Sequence, residues 1–133
     1  MTEYTIYLIG DENDESGTLF AETANGACHL KFRYRGREIE SMALDYFEAF
    51  SNLRRVLEKD HLIPFCYGAS LNVYPSGMCR DMGNGIVAYK LQLGRKPTHG
   101  DLVNIFEQGD DVIPASVEEQ KEFFNEWLKS EKG

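Results

Sequence analysis

The stretch His29-Leu30-Lys31-Phe32-Arg33-Tyr34-Arg35 alternates between basic and apolar side chains with a period of two. Successive side chains of a β-strand point to opposite faces of the sheet, so this pattern predicts a strand with one buried and one solvated face. Gly36 permits a tight turn, and residues 39–44 can return as the second strand of a hairpin. Glu38 and Glu40 would then lie beside the basic side chains, where opposite charges across strands are stabilising.

Other strands and two helices are predicted on either side of this hairpin. Residues 4–9 are β-branched, aromatic or apolar, which is typical of a strand that is buried on both faces near the middle of a sheet. Helices are predicted from Asp45 to Lys59 and from Ser116 onward, because each start has an N-cap residue with glutamate three positions later. Further strands are predicted at residues 18–22, 62–74 and 86–93, with a short strand or helical turn at residues 102–106.

The strands come in groups and do not alternate with helices, which favours an α+β fold. We expect a single domain over residues 1–133, with a mainly antiparallel sheet of about five or six strands and two helices packed on it.

The chain has 133 residues and a net charge of −8, from 14 basic and 22 acidic residues. This acidic balance argues against binding to nucleic acid or to an anionic membrane through a general electrostatic field. No apolar run approaches the ~20 residues that cross a bilayer, and the first residues lack the basic and apolar regions of a signal peptide. Three widely spaced cysteines, none in a zinc-site pattern, predict a reducing, cytoplasmic location.

The segment Val73-Tyr74-Pro75-Ser76-Gly77-Met78-Cys79-Arg80-Asp81-Met82-Gly83-Asn84-Gly85 can be neither a plain strand nor a plain helix. Ser76 can cap a short helical turn at residues 78–82, with Gly83 as its left-handed end. In one interpretation the turn projects Arg80 and Asp81 as a recognition element. In that case Tyr74, Met78, Arg80 and Met82 would be the contact residues. In the other interpretation the segment is a structural connection with its methionines in the core.

No recognised catalytic or cofactor motif occurs in the sequence. The patterns GxGxxG, GxxxxGK[ST], HExxH and GxSxG are all absent, so we predict no catalytic residue, no cofactor and no metal site. The alternative is a small enzyme or ligand-binding protein with its site at residues 74–85, facing Cys66, His61 or His99.

Acidic side chains form the other candidate contact surfaces. They are Asp11, Glu12, Asp14 and Glu15 near the amino terminus, and Glu107, Asp110 and Asp111 near the last helix. The profile resembles that of small bacterial immunity proteins, which are acidic, cytosolic and single-domain and have no catalytic constellation. The resemblance lies in composition and class. It implies a protein-binding module that occludes a basic partner such as a toxin domain, more than it implies an enzyme. A second copy of the chain, paired through an exposed sheet edge, is the other partner considered.

Overall fold

The computed structural model describes residues 1–10 and 14–132, in which the chain forms eight strands, three α-helices and two short 3₁₀ turns. The strands are β1 (Thr2–Ile9), β2 (Glu15–Ala24), β3 (Ala27–Tyr34), β4 (Arg37–Ala43), β5 (Ile63–Pro64), β6 (Val73–Tyr74), β7 (Val87–Lys90) and β8 (Leu102–Asn104). The helices are α1 (Tyr46–Lys59), α2 (Gly77–Gly83) and α3 (Val117–Lys132).

The strands form two antiparallel sheets. The five-stranded sheet has the order β4-β3-β2-β1-β5, and the three-stranded sheet has the order β6-β7-β8. The predicted α+β class and antiparallel sheet are therefore confirmed. The small second sheet is an addition to the predicted arrangement, whereas helix α2 corresponds to the helical turn predicted at residues 78–82. None of the helices in the described part of the chain is both long and apolar enough to span a bilayer.

The predicted hairpin is formed by β3 and β4. Arg33 lies opposite Glu38 and Lys31 lies opposite Glu40, and the Arg33 Nε to Glu38 Oε2 distance is 2.8 Å. The apolar side chains of β3 are buried in the core beneath α1. The alternating pattern thus fixes both the register and the inner face of this hairpin.

Strand β1 is buried on one face only. Ile6 and Leu8 point into the core, whereas Tyr7 and Ile9 are exposed large apolar side chains on the opposite face. β1 is also second from the edge of the sheet, with only β5 beyond it. The expectation of a strand buried on both faces is therefore wrong, because the core lies on one side of this sheet.

The two edges of the five-stranded sheet differ. Within the described residues, β4 pairs with β3 alone. Its outer edge, seven residues long, has no strand of the described chain beside it. The opposite edge strand, β5, has two residues and ends in Pro64. Proline has no backbone N–H to donate, so β5 is a poor template for further pairing. The sheet therefore has one open edge and one blunted edge.

The region predicted as a strand at residues 62–74 is mostly irregular. It contains only the two-residue strands β5 and β6, separated by a 3₁₀ turn at Tyr67–Ala69. The two predicted helices are present and capped as expected. Asp45 accepts a hydrogen bond from the Glu48 amide at 2.8 Å, and Ser116 and Glu119 form a reciprocal capping box.

Candidate functional site

The segment at residues 73–85 folds as the two-residue strand β6, the seven-residue helix α2 and a tight turn. Ser76 caps the helix by accepting a hydrogen bond from the Cys79 amide at 3.1 Å. The left-handed residue is Asn84, with φ of 53°, and not Gly83 as predicted. Gly85 follows with φ of 72°, and a Cβ there would lie 2.8 Å from Asp45 Oδ1. Glycine is therefore required at 85, where the turn packs against the start of α1.

Arg80 holds α2 against the body of the protein. Its Nη1 atom donates to Asp45 Oδ2 at 2.9 Å, and its guanidinium lies 5.3 Å from the ring centre of Phe47 and 5.7 Å from that of Tyr74. These are cation–π distances. Arg80 therefore does not project freely into solvent. Because Asp45 also caps α1, one carboxylate joins the two helices.

An aromatic column continues from this arginine to α3. The Tyr74 ring stacks on Phe124 at 4.1 Å with an interplanar angle of 12°, and Phe124 lies 6.0 Å from Trp127. The Trp127 indole donates to the Arg95 carbonyl at 3.0 Å. Tyr74 is thus a partly buried packing residue that lies between Arg80 of α2 and Phe124 of α3.

The outer side of α2 is apolar and exposed. Met78 and Met82 are one helical turn apart and are 70% and 82% exposed, and Asp81 between them is also exposed. Leu44 is 81% exposed and directly precedes Asp45, to which Arg80 binds. The methionines are therefore not in the core, and that part of the interpretation as a structural connection is wrong. We call Leu44, Met78, Asp81 and Met82 the α2 surface.

The predicted acidic surfaces are partly engaged in internal pairs. Glu15 accepts two hydrogen bonds from Arg35, at 2.6 and 2.9 Å, at the turn between β3 and β4. Asp111 binds Lys90 at 3.1 Å, whereas Glu107 and Asp110 are exposed. Asp14 is exposed, and Asp11 and Glu12 lie outside the described residues. Two of the candidate acids are therefore engaged in ion pairs within the protein.

Tyr67 and Asp111 shift each other's titration. The Tyr67 hydroxyl donates to Asp111 Oδ1 at 2.7 Å, which raises the pKa of Tyr67 to about 12 and holds the pKa of Asp111 below its ordinary value. The phenol of the unfolded chain loses its proton near pH 10, about two units earlier. The stability supplied through Tyr67 is therefore present below about pH 10 and is lost as pH rises through about 12.

We expect Asp111→Asn to return the pKa of Tyr67 towards that of an ordinary tyrosine, because the substitution removes the carboxylate that opposes ionisation. Alkaline titration followed by phenolate absorbance measures this, and Tyr67→Phe identifies which step belongs to Tyr67. A step assigned to Tyr67 that stays in place in Asp111→Asn would contradict the effect given to the carboxylate.

Arg54 and Gln120 are two of the three most deeply buried polar residues in the described part of the chain, and they are not among the predicted site residues. Each is 1% exposed, as is Ser70. Arg54 donates to the Gly68 and Ala115 carbonyls and to Gln120 Oε1, at 2.9, 3.0 and 2.7 Å. Gln120 Nε2 donates to three carbonyls between 2.9 and 3.0 Å, those of Gly68, Ser70 and Val73.

Arg54 has no carboxylate partner among the described residues, and its Nε atom is buried there without a hydrogen bond. Burial lowers the pKa of Arg54 to about 10. The sequence holds a signal for both residues, because each occupies an apolar position of its helix. Arg54 lies four residues after Phe50, and Gln120 lies three after Val117. A polar residue on an apolar stripe indicates a buried network.

The cysteine and histidine candidates are not brought together as a nucleophile and base. Cys66 is buried, and that burial raises its pKa to about 12, which suppresses the thiolate. In the part of the chain that the structure describes, no hydrogen bond joins Cys66 or Cys79 to His61 or His99. Nor do three His, Cys, Asp or Glu side chains come together there in a way that could hold a metal ion.

Comparison with known proteins gives no family. No protein-family model matches the chain, and no curated protein sequence is significantly similar to it.

Proposed function

We propose that this protein is a protein-binding module and that the α2 surface is its recognition element. The observation that carries the proposal is the exposure of Met78 and Met82, at 70% and 82%, on a helix that is capped and braced. Large apolar side chains displayed together in this way mark interaction sites. Methionine is suited to such a site, since its flexible, polarisable side chain adapts to a partner's apolar groove.

The bracing of α2 supports this use of the surface. Arg80 pairs with Asp45, and the backbone N–H of Tyr46 donates to the Asn84 carbonyl at 2.6 Å. The helix is therefore fixed before a partner arrives, and less conformational entropy is lost on binding than with a flexible loop.

The partner that fits this surface has an apolar groove with a basic residue beside it. Leu44, Met78 and Met82 supply the apolar contacts, and Asp81 supplies a negative charge between the methionines. The net charge of −8 would speed association with a basic protein. The narrower form of the proposal is a cytoplasmic inhibitor of the immunity type, which covers a basic toxin domain. The three free cysteines support a reducing compartment.

Paired methionine substitutions test the proposal. A photo-crosslinking residue at position 78, with one at position 42 as the comparison, captures and identifies the partner. The partner's affinity is then measured by calorimetry. We expect Met78→Ala with Met82→Ala to weaken binding at least ~10-fold, the effect of losing apolar anchors at the centre of an interface.

Met42→Ala is the matched control, because Met42 is also exposed but lies on the five-stranded sheet. We expect it to leave the affinity unchanged. Both variants should keep the thermal midpoint of the wild type, since they alter exposed side chains. Equal affinities of wild type and the double variant for the captured protein would exclude the α2 surface as the recognition element.

A further inference from the structure

A cavity of about 300 Å³ is lined by residues of α1, α2 and α3, among them Arg80. Each helix contributes one basic side chain to the cavity wall: Arg55 from α1, Arg80 from α2 and Lys121 from α3. Glu48 is the one carboxylate among its lining residues. Three basic side chains against one carboxylate favour a negatively charged occupant, although the chain as a whole has a net charge of −8.

The basic side chains retain donors for such an occupant. Arg80 uses its Nη1 for Asp45, and Arg55 uses its Nη1 for Asn52 Oδ1 at 3.1 Å. The Arg55 Nη2 atom is 3.9 Å from Glu118, which is beyond hydrogen-bonding distance. A guanidinium has five N–H donors, so both arginines have N–H groups left with which to bind oxygen atoms of an anion.

The same cavity has an aromatic side. Phe47 and Tyr74 line it, and the guanidinium of Arg80 lies over both rings. The volume is near the lower end of the range of about 300–1,000 Å³ that is usual for small-molecule sites. Such a site accommodates one strongly charged group and a small apolar or aromatic body.

We propose that this cavity binds a small molecule that carries a phosphate group on an aromatic or apolar body. Arg55, Arg80 and Lys121 would contact the phosphate, since three cations suit a doubly charged group better than a single carboxylate. Phe47 and Tyr74 would contact the body. The site differs from the α2 surface and needs no protein partner, so it can fail or succeed independently of the recognition role.

Calorimetric titration with phenyl phosphate, at constant ionic strength, tests the site. We expect saturable binding, with weaker binding of inorganic phosphate because it lacks the ring. Arg55→Met with Lys121→Met should weaken phenyl phosphate binding at least ~10-fold, the usual effect of removing charged hydrogen bonds. These two side chains are exposed, so the thermal midpoint without ligand should stay near that of the wild type.

Arg95→Met with Lys96→Met is the control, because it removes the same charges from exposed positions outside the cavity. We expect wild-type affinity from this variant. The proposal is overturned if wild type shows no saturable binding, or if the two double variants bind equally well. Equal affinity for inorganic phosphate and phenyl phosphate would remove the role given to the aromatic side.

Discussion

Replacing Arg54 with Met should lower the free energy of unfolding by about 3 kcal/mol or more, measured by urea denaturation. Removing a buried cation sometimes stabilises a protein, when its partners are replaced by apolar groups as well. Here two of the partners are backbone carbonyls, those of Gly68 and Ala115, which no side-chain substitution can remove. The Arg54→Met variant would leave the Ala115 carbonyl and Gln120 Oε1 without their observed donor.

Arg55→Met is the matched control for this variant. It removes the same group one residue along the same helix, where the side chain is exposed and its ion pair with Glu118 is 3.9 Å long. Exposed pairs contribute about 0–1 kcal/mol, so little loss is expected. If Arg54→Met proved as stable as Arg55→Met, the buried network would not be holding the irregular region between β5 and β6.

Gly10→Ala should lower the free energy of unfolding by about 3 kcal/mol, through strain and steric overlap together. Gly10 has φ of +129°, a conformation in which an L-residue is strained. A Cβ would also overlap the His61 backbone carbonyl, where the end of β1 meets the turn after α1. Because that oxygen belongs to the backbone, no side-chain rotation can relieve the overlap.

Gly83→Ala is the comparison for Gly10→Ala. Gly83 lies in α2, has no positive φ, and has nothing within 4 Å of its added Cβ. Alanine is favoured over glycine in a helix by up to about 1 kcal/mol, so this variant should be as stable as the wild type or more so. Wild-type stability of Gly10→Ala in the same denaturation series would mean that the β1 end can move away from His61.

The sequence predicts those parts of the fold that depend on neighbours along the chain. The alternation at residues 29–35 predicts the inner face of β3, and the glutamates after Gly36 predict the cross-strand pairs. The caps at Asp45 and Ser116 are read from residues three positions apart. In each case the interacting groups lie within one hairpin or one helical turn.

The irregular region at residues 62–74 could not be predicted in the same way. Its apolar composition favours a strand, but its carbonyls are bound by Arg54 and Gln120, which are 14 and 52 residues away from Gly68 in sequence. Contacts over this distance override a local strand preference. Composition alone does not reveal which distant side chain will supply the donors.

The candidate site shows the same division. Ser76 as a cap and the turn at Asn84 follow from local residue types, and the structure contains both apart from the shift of the left-handed residue. The pairing of Arg80 with Asp45 spans 35 residues and could not be read from either segment. That pairing decides which side chains of α2 are exposed, because it turns Arg80 inward and leaves the methionines in solvent.

The unequal edges of the five-stranded sheet limit how copies of this protein can assemble through it. A fibre built through a sheet requires two free strand edges on every subunit, one for each of its two neighbours. Here β4 can pair with a strand of another molecule. β5 has only two residues and ends in Pro64, so it is a poor partner for such a strand. If β4 paired with the β4 strand of a second copy, both β4 edges would be covered, and pairing through that edge would stop at two molecules.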